Sequence, residues 1–91
     1  MLFVKVTVRT IMDEMERDRV TWALIPANNI NFTRYMQEAT NDNLELARMR
    51  LKEINDVNGG GYMTRIKTIE NELRVRRRHG RREEKHKCLH G

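Results

Sequence analysis

The residues of this chain whose types and spacing suit a definite chemistry lie near one end. From position 74 it reads Arg74-Val75-Arg76-Arg77-Arg78-His79-Gly80-Arg81-Arg82-Glu83-Glu84-Lys85-His86-Lys87. Arginine donates two parallel hydrogen bonds from a planar fork that matches a phosphate, where lysine offers only a point charge. Residues 74–91 hold eight Lys or Arg and two acids, net +6, whereas residues 1–73 hold ten basic and eleven acidic residues, net −1. The whole basic excess therefore sits in the last fifth of the sequence, a pattern typical of segments that touch a polyanion. Two blander readings stand beside that one: an address for an import receptor, and a solubilising tail.

Other candidate chemistries are weaker. His86-x-Cys88-x-His90, with His79 upstream, invites a metal reading, but its spacing matches no structural zinc pattern. Cys88 stands at the prenylation position, yet His90 and Gly91 suit that signal poorly. Asp13, Glu14, Glu16 and Asp18 lack the glycine turn and ligand periodicity of a calcium loop. Gly59-Gly60-Gly61 lacks the Lys-Ser/Thr that a phosphate loop requires. No nucleophile–base pair is legible, so the chain is expected to be non-catalytic, with no cofactor, no metal and no small-molecule substrate.

Ninety-one residues make one small domain, here lean in apolar residues at 38% and rich in charge at 34%. Stability should be marginal, and a partner would relieve it. A single cysteine excludes an internal disulfide framework and fits a reducing compartment. No apolar run approaches the roughly 18 residues of a membrane span, and the first residues lack a signal-peptide core. The expected setting is intracellular, cytoplasm or organelle matrix, without membrane contact.

The elements that must position the arginines follow from periodicity. Residues 2–11 alternate with a period near two and predict a strand, and residues 20–25, stopped by Pro26, predict a second. A charged connection over 13–19, a solvated loop or a short helical turn, makes them a hairpin. Asn28-Asn29-Ile30-Asn31 offers helix caps ahead of Phe32, Tyr35, Met36 and Ala39 at helical spacing. Asp42 and Glu45 form a variant capping box for a helix carrying Leu44, Ala47, Leu51 and Ile54. Beyond the glycine turn Tyr62, Ile66, Ile69 and Leu73 resume the same steps, which predicts an αα-hairpin; strands over 63–69 and 73–78 are the alternative. The expected fold class is α+β: an N-terminal β-hairpin packed on two or three short helices over residues 1–73. A basic tail over 74–91, disordered or ordered only on binding, completes it. If the last helix reaches Arg78, then Arg74, Arg77, Arg78 and Arg81 lie along one side.

Two stretches resemble ribosomal proteins. Asn41-Asp42-Asn43-Leu44-Glu45-Leu46-Ala47-Arg48-Met49-Arg50-Leu51-Lys52, followed by glycine and an arginine cluster, resembles the twenty-first small-subunit ribosomal protein family of bacteria. That resemblance implies a basic helix and an arginine-rich stretch lying on ribosomal RNA. The spacer after Gly61 is longer here, and that family's Tyr-Glu-Lys-Pro-like stretch is absent. Arg65-Ile66-Lys67-Thr68 is similar to the second helix of a large-subunit helical-hairpin protein. The chain is assigned to neither family.

The function expected from sequence is a non-catalytic, RNA-binding structural component of a ribonucleoprotein, plausibly a ribosome. Its partners are structured RNA and neighbouring proteins of the same complex. The expected RNA contacts are Arg74, Arg76, Arg77, Arg78, Arg81, Arg82, Lys85 and Lys87, with Arg65 and Lys67 from the body. Arg48 and Arg50 are read as the wet face of a helix, or as an extension of the basic surface. The few aromatics, Phe3, Trp22, Phe32, Tyr35 and Tyr62, all fall at core spacings, which weighs against base stacking and for backbone contacts. Alternatives are a small dimeric DNA-binding regulator and a viral or phage accessory protein that binds a host protein.

Overall fold

The computed structural model describes the backbone of residues 7–90 and the side chains of residues 7–78. Its elements are α1 (Val8–Asp18), a 3-10 turn (Thr21–Leu24), α2 (Ile30–Glu38), α3 (Asn41–Asn58) and α4 (Met63–His90). The expected α+β class, with its N-terminal β-hairpin, is overturned: among the described residues every regular element is helical.

The physical reason begins at Thr7. Its hydroxyl accepts the Thr10 N–H at 3.2 Å and starts α1 where the alternation predicts a continuing strand. The apolar set that counts is Val8, Ile11 and Met15, at steps of three and four. The charged segment 13–19, expected as a solvated loop or a short helical turn, forms the second half of α1 and its C-cap, with its charges on the wet face. The part of the expected strand before Thr7 lies outside the described residues. α1 ends in a Schellman motif: Arg19 is left-handed at φ 62°, and Val20 N–H reaches the Met15 carbonyl at 2.8 Å. Met15 and Val20, the apolar pair such a motif brings together, are both fully buried.

The expected second strand is a 3-10 turn. Its buried positions, Val20 and Ala23, are three apart, and Ala23 N–H bonds to the Val20 carbonyl at 3.0 Å. Apolar density there suggests an extended segment, but a buried spacing of three turns the chain. Trp22 then stacks on Phe32 with centroids 5.5 Å apart and donates its indole N–H to Asn43 at 2.8 Å.

The helices of the C-terminal half form as their spacing predicts, with one change of cap. Thr40, not Asp42, caps α3 by accepting the Asn43 N–H at 3.1 Å. α3 also closes in a Schellman motif, with Gly59 at φ 78° and Gly60 N–H on the Asn55 carbonyl at 2.8 Å. Left-handed backbone of this kind is what glycine tolerates best. Asn55 reaches on to Tyr62 N–H at 2.9 Å, so the turn hands the chain directly into α4. The alternative of strands over 63–78 is thereby excluded.

α3 is the spine. It packs against α1 on one side and α4 on the other, while α2 lies against both the 3-10 turn and α4. The buried core takes Ile11 and Met15 from α1, Phe32 and Met36 from α2, and Leu44, Leu51 and Ile54 from α3. Ala47 of α3, Val20 and Ala23 at the 3-10 turn, and Ile66, Ile69 and Leu73 from α4 complete it. No buried polar side-chain atom among the described residues lacks a hydrogen-bond partner.

Candidate nucleic-acid interface

α4 carries the core seam and the arginines on one continuous helix. Tyr62, Ile66, Ile69 and Leu73 follow one another at steps of four and three, and the next position in that series is Arg76. An arginine at a seam position points inward, and Arg76 is only 20% exposed at its side chain. Its guanidinium donates to the backbone carbonyls of Met36 at 3.0 Å, Gln37 at 2.9 Å and Ala39 at 2.5 Å. It also meets Asn41 Oδ1 at 3.1 Å and Glu72 Oε2 at 2.9 Å. Arg76 therefore caps the C-terminus of α2, where unsatisfied carbonyls and the helix dipole favour a cation.

Arg65 is engaged in a similar way. It donates to the Ile25 carbonyl at 2.9 Å and the Gly61 carbonyl at 3.3 Å, with its guanidinium 4.8 Å from the Tyr62 ring centroid. Of the ten residues expected to contact RNA, these two are committed to the protein's own backbone.

Lys67, Arg74, Arg77 and Arg78 are exposed, or nearly so, and among the described residues none has an acidic partner. Lys67, Arg74 and Arg78 are seven and four residues apart, so they share one outward stripe of α4. Arg74 and Arg77 also line a shallow groove between α3 and α4, together with Glu45, Arg48, Glu70 and Leu73. Its two carboxylates are already paired. Arg48 bridges Glu45 at 3.0 Å and Glu70 at 3.5 Å, and Lys52 meets Glu70 at 3.6 Å. Arg81, Arg82, Lys85 and Lys87 follow on α4, and their side chains lie outside the described residues. So do the side chains of His79, His86, Cys88 and His90; among the described residues no group of three potential metal ligands occurs.

Arg50, expected on the wet face, is a structural centre. Its side chain is 16% exposed and reaches Glu53 at 2.9 Å, Glu14 at 3.0 Å and Asp18 at 3.1 Å, tying α1 to α3. The Glu53 hydrogen bond above all, with Asp18 and the charge of Glu14 adding, holds its guanidinium above the ordinary arginine range against the opposing effect of burial. The sequence carries a usable signal for Arg76, its seam spacing, and none for Arg50, whose partners Glu14 and Asp18 lie on another helix.

One aromatic departs from expectation. Phe32 is fully buried, but Tyr35 is 49% exposed. Phe3 lies outside the described residues.

Neither a protein-family model, nor a curated protein, nor a solved structure matches this chain. Among the described residues no helix is long and apolar enough to cross a membrane.

Proposed function

We propose that the chain is a non-catalytic RNA-binding component of a ribonucleoprotein, which presents α4 as a basic helix to phosphates of structured RNA. The observation that carries this reading is the outward stripe of Lys67, Arg74 and Arg78, with Arg77 beside it, lacking acidic partners among the described residues. The same spacing continues in the sequence at Arg81 and Lys85. Such a stripe suits backbone contact, in which each phosphate neutralised releases counterions. Neighbouring proteins of the complex and an intracellular, reducing setting complete the proposal.

Recognition of duplex DNA is favoured less. A helix-turn-helix reader lays its recognition helix in the major groove while the preceding helix crosses the phosphate backbone, so both faces meet phosphates. Here the outward positions of α3 mix Asp42, Glu45, Glu53 and Asp56 with Arg48 and Lys52.

The test is filter binding of structured RNA and duplex DNA over a salt series, comparing the wild-type chain with an Arg74→Gln/Arg77→Gln/Arg78→Gln variant. That variant keeps Arg76 and hence the α2 cap. The salt slope for RNA should fall by roughly 0.7–0.9 for each phosphate that is no longer neutralised. An unchanged slope and affinity, or tighter binding of duplex DNA than of RNA, refutes the proposal. A protein-bound complex that survives high salt and nuclease would identify an accessory protein instead.

A further inference from the structure

A concavity between the end of α1, the 3-10 turn and α2 is built from different chemistry. It is lined by Glu16 and Arg19 from the end of α1, Thr21, Trp22 and Ile25 from the 3-10 turn, and Tyr35 from α2. We propose that it holds an unpaired nucleobase of the bound RNA, stacked against Tyr35 and Trp22. This rests on the RNA-binding reading above and extends it from backbone contact to base contact.

The walls are apolar and aromatic, and one of them is fixed in place. Trp22 is held from behind by the tilted stack on Phe32 and at its edge by the Asn43 carbonyl oxygen. Asn43 is itself held, since its amide donates to the Arg19 carbonyl at 3.2 Å. Tyr35 supplies the open wall, half exposed in a chain with only five aromatic residues. Nothing in the core requires an aromatic ring there: Phe32 and Met36 are the positions of α2 that face inward.

Polar groups at the rim suit the edge of a base. The Glu16 carboxylate, the Arg19 guanidinium, and the Thr21 and Tyr35 hydroxyls make no side-chain hydrogen bond among the described residues. Together they offer an acceptor, a forked donor and two hydroxyls around an aromatic slot, which is the complement of a flat heterocycle with donors and acceptors on its rim.

Position ties the concavity to the basic helix. Tyr35 immediately precedes Met36, whose carbonyl is held by Arg76 of α4. Ile25, which lines the concavity, has its carbonyl held by Arg65 of α4 at 2.9 Å, so the concavity and α4 share a contact.

Trp22 is the one tryptophan of the chain, so its emission reports on the concavity directly. The experiment titrates the full chain at low salt with a short fluorescently labelled oligouridylate, and in parallel with an abasic ribose-phosphate oligomer of equal length. Label anisotropy follows total binding, and tryptophan emission follows the concavity. The base-bearing oligomer should quench Trp22 and bind about five- to a hundredfold more tightly than the abasic one, the range expected for one stacked base. Tyr35→Leu should lose most of that difference, Tyr35→Phe should keep it, and both should melt like the wild type. Anisotropy that rises equally for both oligomers with Trp22 emission unchanged overturns the base pocket and leaves the phosphate reading standing. Absence of any anisotropy change with either oligomer also overturns the base pocket, while the filter-binding series on structured RNA decides the phosphate reading. The quenching comparison needs no variant, so it decides the matter even if a Tyr35 substitution fails to fold.

Discussion

Replacing Arg76 by methionine separates the structural from the electrostatic role of the arginine-rich stretch. Methionine keeps much of the aliphatic bulk and good helix propensity, so only the guanidinium is lost. With it go three bonds to α2 carbonyls, one to Asn41 and the ion pair to Glu72. Each charge-assisted bond contributes on the order of 1.5–3 kcal/mol where water cannot substitute. Here it partly can, because Gln37 and Asn41 are exposed and the Arg76 side chain retains 20% exposure. A helix cap of this kind is then worth about 2–3 kcal/mol in all, or roughly 10–20 °C in Tm for a domain of this size. Urea unfolding followed by circular dichroism and Trp22 emission measures it, with Arg77→Met as the control expected to change stability by less than about 0.5 kcal/mol. An Arg76→Met midpoint within error of the control would show that the α2 cap is not a stabilising contact, and the inward assignment of Arg76 would fall.

Other substitutions test the rest of the frame. Truncation after Leu73 should destabilise the body as well as weaken nucleic-acid binding, because it removes Arg76; thermal melts of the truncated and full chains compare directly. Arg50→Met should cost about 1–3 kcal/mol by leaving Glu14, Asp18 and Glu53 crowded without their cation, measured as a fall in urea midpoint. Because the folded state raises the Arg50 pKa, its contribution is fully present below the unfolded arginine value and is lost only as pH rises through the folded one. The wild-type-minus-variant difference should therefore hold steady from about pH 7 to about pH 11, and a decline within that window would contradict the pairing. Arg19→Gly should stabilise by about 0.5–1 kcal/mol, since a left-handed backbone at φ 62° strains a side chain with a Cβ; a lower melting temperature would refute this.

Where sequence and structure part is instructive. Leu44, Ala47, Leu51 and Ile54, and again Ile66, Ile69 and Leu73, sit on long segments with a glycine turn between them, and their spacing favours the helical period, with strands over 63–69 and 73–78 as the alternative that the structure excludes. Residues 8–12 are ambiguous because β-branched residues dominate a short window, and apolar alternation over a few positions also occurs by chance at a helix start. The deciding feature is the cap at Thr7, a single hydroxyl that outweighs strand propensity by fixing the first turn. The arginines are legible as a charge block, but charge counting treats them as equivalent. Helical register does not: it sends Arg76 inward to α2 and leaves Arg74, Arg77 and Arg78 outside. Tyr35 escapes the same coarse rule, since a spacing of three from Phe32 puts it on the flank of the core stripe, where the 3-10 turn leaves it open.

The near-neutral body also acquires a meaning that net charge alone does not give. Six carboxylates, Glu14, Asp18, Glu45, Glu53, Glu70 and Glu72, are paired with body or α4 cations. Those beside the basic helix, Glu45, Glu70 and Glu72, are all among them. An unpaired carboxylate there would repel a phosphate over several ångströms, because exposed charges interact across about a Debye length, ~8–10 Å at moderate salt. Pairing leaves the field around Arg74, Arg77 and Arg78 set by those arginines. The Arg48–Glu70 pair that joins α3 to α4, and the Arg76 hydrogen bonds that join α4 to the end of α2, also fix the stripe relative to the body, so the arginines are presented together rather than each on its own. Disrupting Arg48 should consequently weaken RNA binding by more than the removal of one charge accounts for, because it uncovers Glu45 and leaves Glu70 to Lys52 alone within the same groove. The excess over the effect of removing a single exposed arginine such as Arg78 measures how far the body's ion pairs, and not the arginine count, shape the interface.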